Sequence, residues 1–436
     1  MKHPQLLPSV IALAACLSAA GPATAQSTGG YGANPTLPAP DLKHDVGNFS
    51  KVVGWPKDGM PTVPKGFKVT RFAGDLQSPR NLVVLPNGDI VVAEATTVVT
   101  PEKAKDEKTA GQMRSGSAAM SSANRLTLLR DADGDGIAEE RHILLTGLNQ
   151  PFGLAYVDGH LFVANTDSLM KYLYKPGATS IEDKGTPVMT LPAGGYNNHW
   201  TRNLLPAADG RSLYVSVGSA SNVGEFGLDT EKGRAAIHQV GLDGSGQKLF
   251  ATGLRNPVGM SINPATGALW TAVNERDMIG DDLVPDYITS VRDGAFYGWP
   301  YSYWGRNADP RLKGEGKDLV AKAVTPDYAV GAHTASLGLH FYTGQALGPG
   351  YQGGAFVAQR GSWNRKPFAG YKVIFIPFSD GKPSGPPQDF VTGFMRGSDS
   401  GEVFGRPVGV FQDGNGALLV TDDAGNTIWR VQAERS

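Results

Sequence analysis

With 57 glycines and 30 prolines in 436 residues, the chain is built for many tight turns and not for long helices or a coiled coil. A formal net charge of −1 gives no basis for binding nucleic acid or an acidic membrane surface, and 40% hydrophobic content is ample for a core. The one cysteine excludes an intramolecular disulfide, and without Cys-x-x-Cys-His the chain carries no covalently attached c-type haem.

Residues 1–25 read as a signal peptide: Lys2 and His3 precede an apolar run from Leu6 to about Ala20, and Ala23-Thr24-Ala25 before Gln26 is a small-x-small cleavage site. The run is broken by Pro8 and ends too early for a membrane span. Leu13-Ala14-Ala15-Cys16 resembles a lipoprotein cleavage box, so Cys16 is either the lipidated first residue or discarded with the leader. Both routes predict a periplasmic protein. Residues 26–60, rich in Gly, Pro and Asn, read as a flexible linker, and 61–436 as one large domain.

Within that domain one strand pattern recurs six times. Each copy has a turn, a Pro or its substitute, an apolar stretch, a Gly-bearing turn and a second apolar run. The copies span 76–95, 148–167, 198–219, 254–275, 336–359 and 404–423. Such a repeat predicts an all-β fold, a six-bladed β-propeller. Residues 66–74 (GFKVTRFAG) form a strand that completes the last blade and closes the ring, which removes exposed sheet edges. Residues 100–123 are polar and small, and read as a mobile insertion in the first blade. Asp131, Asp133 and Asp135 alternate like the start of an EF-hand loop, but the twelfth position is His142, leaving structural calcium and a plain solvated turn both open. Residues 307–318 are a second polar loop.

The residue two places before the Pro, or its substitute, is in turn Gln77, Asn149, His199, Arg255, Ala335 and Gly405. Equivalent positions lie at equal heights around a propeller axis, so four polar side chains can meet at one mouth. Gln77 and Asn149 serve equally well as hydrogen-bonders of loop backbone. His199, presented just before a strand, is the best acid–base candidate. Arg255-Asn256, one blade on, offers a planar fork for carboxylate or quinone oxygens. Tyr297, Trp299, Tyr301, Tyr303 and Trp304 could stack on a planar ligand or pack between blades.

GLRNPVG (253–259), NERDMIGDDLVPDYI (274–288) and FYGWPYSYWG (296–305) resemble the L-sorbosone dehydrogenase family. That family is related to the soluble glucose and aldose dehydrogenases that use pyrroloquinoline quinone (PQQ). The resemblance covers roughly residues 61–431 and implies a PQQ- and calcium-dependent dehydrogenase of an aldose or sugar aldehyde. It implies His199 as the base that removes the hydroxyl proton, and Arg255, Asn256, Arg360, Arg406 and His333 as cofactor contacts. It aligns Asp277 and Met278 with backbone carbonyl ligands of a catalytic calcium, although the family's Gly-Pro is missing there, and Asp286 and the carbonyl of Tyr297 with a second, structural calcium. Electrons would leave to an external acceptor such as a quinone or a cytochrome. A calcium-dependent propeller hydrolase of the lactonase type and a non-catalytic binding propeller are the alternatives; the arginines favour the dehydrogenase over the hydrolase.

Overall fold

The computed structural model describes Met1 and residues 30–43, 47–397 and 400–434. Apart from Met1, the expected leader and the Cys16 box lie outside the described residues. Six antiparallel sheets follow one another around an axis, the six-bladed propeller the repeats predict. Their innermost strands are Pro79–Val84, Gly153–Val157, Arg202–Pro206, Pro257–Ile262, Ser336–Phe341 and Pro407–Gln412. Blade six is completed by Phe67–Ala73, which pairs antiparallel with Thr427–Ala433, so the ring closes with the expected N-terminal strand.

Crowding at the axis explains three of the four glycines that the repeats carry after their Pro position. A Cβ on Gly153 would lie 2.6 Å from the Arg202 carbonyl oxygen, and one on Gly259 2.5 Å from the Leu339 amide. At Gly338 the clash would be with Val408 O, at 2.7 Å. Neighbouring inner strands therefore approach backbone to backbone, which only glycine permits.

Each pair of adjacent blades encloses its own hydrophobic layer. Phe356 and Val373 of blade five meet Val410 and Leu418 of blade six, for example, and Leu204 and Val215 of blade three meet Ala155 and Phe162 of blade two. A smaller cluster of Ala95, Phe152, Trp200, Val258 and Val408 sits at the axis. Just beside it, Asn81 of blade one donates to Asn203 Oδ1 of blade three (2.8 Å), and Asn203 donates to the Val258 carbonyl (2.7 Å). This amide relay crosses the axis, and an axial cavity of about 390 Å³ is lined by all six inner strands.

Two expectations of mobility need correction. The described part of 26–60 is a strap fastened to the ring. Tyr31–Gly32 extends blade four, and Lys51–Val52 pairs with Glu402–Val403. Trp55 donates to Asp422 Oδ2 at 2.7 Å while packing on Phe394, Phe404 and Trp429. Isolated aromatics anchored it, and these carry no periodicity to read. The 100–123 insertion is likewise folded, with Glu107–Arg114 a helix whose first turn is capped by Asp106 onto Thr109 N (2.9 Å). No helix among the described residues is long and apolar enough to cross a membrane.

Candidate active site

His199 stands at the start of the inner strand of blade three. Its Nδ1 lies 2.8 Å from Ser219 O and 3.0 Å from Ser219 Oγ. The Ser219 hydroxyl already donates to Ser221 O (2.6 Å), so Nδ1 must carry the ring proton. Nε2 is left as the acceptor nitrogen and meets the exposed Asn198 side-chain amide at 3.3 Å. Burial, reinforced by the nearby Arg255 charge, pushes the His199 pKa down to about 3, so the imidazole is neutral.

Arg255 is 1% exposed and fully committed. It donates to Glu275 O (2.6 Å), to Asn222 Oδ1 (2.9 Å) and to Asp277 Oδ2 (2.9 Å). Trp299 Nε1 steadies Asn222 by donating to its carbonyl (2.9 Å), which gives one of the aromatic cluster an indirect part in the site. Tyr297, Trp299, Tyr303 and Trp304 are otherwise buried packing residues.

The second Asp277 oxygen accepts from Asn364 Nδ2 (2.8 Å) and lies 3.6 Å from His333 Nδ1. Burial alone would raise the Asp277 pKa, but Arg255 and His333 hold it well below the usual carboxylate range. His333 responds in kind: burial would lower its pKa, and Asp277 raises it. Its Nε2 faces the Gly280 and Leu283 carbonyls at 2.8 and 3.0 Å, so this ring braces the 280–283 loop.

Asn256 is the uncommitted member of the set. It is buried, its Oδ1 has no hydrogen-bond partner, and its amide nitrogen donates to nothing among the described residues. Gly218 separates it from the imidazole: a Cβ there would lie 2.6 Å from His199 Cβ and closer still to Asn256 Oδ1. His199, Gly218 and Asn256 thus form one notch that offers an acceptor nitrogen and an amide oxygen without a protein partner. Such a buried oxygen is completed by water or by a ligand.

Arg360 and Arg406 lie together but are occupied by the chain itself. Arg360 binds Asp423 Oδ2 (2.8 Å), Ser117 Oγ (3.0 Å) and Gly116 O (3.0 Å). Arg406 binds Arg360 O (2.9 Å), Ser115 O (2.9 Å), Ser117 Oγ (2.8 Å) and Gly361 O (2.8 Å). The Ser-Gly-Ser run at 115–117 of the insertion therefore supplies acceptors for two buried guanidiniums. That demand explains why a segment without apolar pattern is folded. Arg80, missed by the sequence reading, joins them through Asp423 (2.7 Å) and lies 5.1 Å from the Trp200 ring. The available signal was its position: Arg80 follows Pro79 where Phe152, Val258 and Val408 follow Pro in other repeats.

The metal assignments meet a different geometry. The Asp277 carbonyl, expected to face calcium, accepts from Arg311 Nη1 (2.8 Å) and Asn222 Nδ2 (3.1 Å). A cationic donor occupies the place of a cation, so this carbonyl does not fit that role. Met278 follows it in a left-handed turn (φ 71°). Asp286 accepts from Glu275 N and Ser336 N (both 2.9 Å) and from Thr334 Oγ1 (3.0 Å), and burial pushes its pKa up to about 6. It ties blade four to blade five. The Tyr297 hydroxyl donates to Ser290 O (2.6 Å) at the far end of the strand Pro285–Ser290, and its backbone N–H to Thr252 O (2.9 Å). On the 131–136 hairpin the carboxylates of Asp131, Asp133 and Asp135 lie within 4.8 Å of one another and of Glu139, not of a group at the twelfth position. At the two remaining polar positions the Gln77 backbone N–H donates to the Glu94 carboxylate, and Asn149 Nδ2 donates to the Asp167 carboxylate (2.7 Å).

Architecture and site together place the chain in the class of six-bladed propellers found in sugar dehydrogenases. The superposable structures include the PQQ domain of pyranose dehydrogenase from Coprinopsis cinerea in its holo form. Its TM-score is 0.69 at 21% identity, covering 88% of this chain and all of that domain. Aldose sugar dehydrogenase from Streptomyces coelicolor, in a PQQ-bound form, gives 0.55 at 17% identity over 86% of this chain and all of that one. The chain belongs to the TrAA12-like family, whose model matches residues 61–285 and 309–434.

By sequence it is 27% identical to an uncharacterized protein of Borreliella burgdorferi, over 86% of this chain and 91% of that one. It is 24% identical to the PQQ-dependent pyranose dehydrogenase of Coprinopsis cinerea over 85% of this chain, which spans only about half (54%) of that enzyme. A shorter stretch, 26% of this chain and 29% of the relative, is 33% identical to the aldose sugar dehydrogenase YliI of Escherichia coli.

Proposed function

We propose that this chain is a periplasmic, PQQ-dependent dehydrogenase that oxidises an aldose or sugar aldehyde, sorbosone among the candidates, and passes the electrons to an external quinone or cytochrome. The observation that carries the reading is the notch between His199 and Asn256: a neutral imidazole with Nε2 as its acceptor nitrogen, beside a buried amide whose oxygen lacks a partner. Family membership and the PQQ-using relatives support the identity of the missing group.

Bound PQQ supplies the two-electron acceptor for the sugar's C–H bond. His199 Nε2 takes the proton of the substrate hydroxyl, and Ser219 fixes the tautomer that leaves this nitrogen unprotonated. Asn256 offers its amide to the quinone edge, and Arg255, locked by Asp277 and Asn222, sets the positive field beside it. Arg360 and Arg406 would hold carboxylates in exchange for Ser115 O, Gly116 O and Ser117 Oγ. For calcium the aligned carbonyl of Asp277 does not fit, because Arg311 Nη1 already donates to it.

The test is dye reduction by purified protein given PQQ, with and without Ca²⁺, against a panel of sugars and sugar aldehydes. We expect reduction that requires PQQ and is lost in His199→Ala. No PQQ-dependent reduction with any member of the panel refutes the proposal and leaves a binding propeller.

A further inference from the structure

A second cavity, about 440 Å³, is lined by Pro192, Gly195, Tyr196, Phe226, Thr230 and Arg234 among others, with Tyr196 on the loop that leads to His199. Its size falls within the range of small-molecule sites. Tyr196 and Phe226 are 47% and 55% exposed, with ring centroids 4.7 Å apart and planes inclined by 58°. Two large rings left open to solvent side by side are unusual in a chain that buries most of its aromatics.

The cavity is mechanically tied to the base. Phe226 sits on the loop between Glu225 and Glu231. Glu231 accepts from Ala220 N (2.7 Å), Ser221 N (3.0 Å) and Ser221 Oγ (2.5 Å). Ser221 O in turn receives the Ser219 hydroxyl, and Ser219 holds His199. On the other wall, Asn197 links His199's own loop to Arg234, whose Nη1 donates to Asn197 Oδ1 at 2.6 Å. The Arg234 guanidinium makes no other hydrogen bond to the described residues, which leaves its remaining side-chain N–H groups for a ligand.

Tilted aromatic faces beside an uncommitted guanidinium suit a ligand with C–H faces and hydroxyl edges. That is the chemistry of a pyranose ring. Because this cavity lies on the loop that leads to His199 without including His199 or Asn256, the ring it takes is not the one being oxidised. We propose that Tyr196, Phe226 and Arg234 form a subsite for the neighbouring sugar ring, so that the substrate is an oligosaccharide. This rests on the sugar-dehydrogenase reading above, and the experiment is chosen so that the two fail separately.

Binding is measured without PQQ, by calorimetry and saturation-transfer NMR, using glucose, cellobiose and maltose as probes on the wild-type protein, Tyr196→Ala and Phe226→Ala. We expect at least one disaccharide to bind about tenfold more tightly than glucose, roughly the gain from one stacked ring. Each variant should reduce that preference at least fivefold, and Phe226→Tyr should restore it. Variants must keep the wild-type melting temperature; Phe226→Leu serves in place of any that do not. Equal affinity for glucose and both disaccharides overturns the subsite, as does a preference that survives both variants. A disaccharide preference that disappears in the variants, without any PQQ-dependent dye reduction, would uphold the subsite while defeating the dehydrogenase reading.

Discussion

Ser117→Ala tests whether the insertion and the cofactor compete for the same arginines. The Ser117 hydroxyl accepts from Arg360 Nη1 at 3.0 Å and from Arg406 Nη1 at 2.8 Å. A hydrogen bond to a charged group contributes about 1.5–3 kcal/mol, and water reaching the half-buried site would recover part of it. A net loss of about 1.5 kcal/mol from the closed arrangement is a conservative figure for the pair. If the arginines must leave segment 115–117 before gripping carboxylates, that loss lowers the cost of opening and does not touch the cofactor-bound state. The apparent Kd for PQQ then falls about tenfold. Titration of PQQ against both proteins, followed by quenching of tryptophan fluorescence, reads this directly. An unchanged or higher Kd, in a variant with an intact fold by circular dichroism, would refute the exchange; a higher value would make Ser117 a cofactor contact.

Other outcomes follow from the same geometry. His199→Gln should cut PQQ-dependent dye reduction about 10²- to 10⁴-fold while changing PQQ affinity far less, measured by steady-state rates and the fluorescence titration. Because burial holds the His199 pKa near 3, the rate should run level through pH 6.5 and decline only as the pH approaches that lower value. The same depression means that the unfolded chain takes up a proton between pH 6.5 and about 3 that the folded chain refuses. Wild-type stability should thus fall with acidification across that window more steeply than that of His199→Gln, as thermal melts would show. Gly218→Ala should fill the notch, with about 1–3 kcal/mol lost from stability and a larger proportional loss of activity, since its Cβ would crowd both His199 and Asn256. Trp55→Phe removes the donor to buried Asp422 and should cost about 2 kcal/mol in chemical denaturation, releasing the strap.

The fold was legible because propellers repeat. Paired apolar runs around a Gly-bearing turn recur at every blade, four of them opened by Pro, and even the closing strand Phe67–Ala73 carried its alternation into the sequence. The candidates His199 and Arg255 stand out by the same means, as two of the four polar residues at a fixed place in the repeat. What the repeat could not convey was who satisfies whom. Nothing in SGS at 115–117 announces that its carbonyls serve Arg360 and Arg406, nor in Trp55 that it meets Asp422 across the whole chain. Asp277 shows the limit of alignment. Its position matched a ligand, yet Arg311, from the polar loop that carried no pattern, fills the space before its carbonyl.

The pairing of Phe67–Ala73 with Thr427–Ala433 sets the order in which the molecule can mature. The two strands lie at opposite ends of the domain, about 360 residues apart, and blade six lacks the strand on its rim until they meet. Without that pairing the circle stays open as an arc. Such a chain gains its final cooperativity in one late stroke, when the two distant strands zip together.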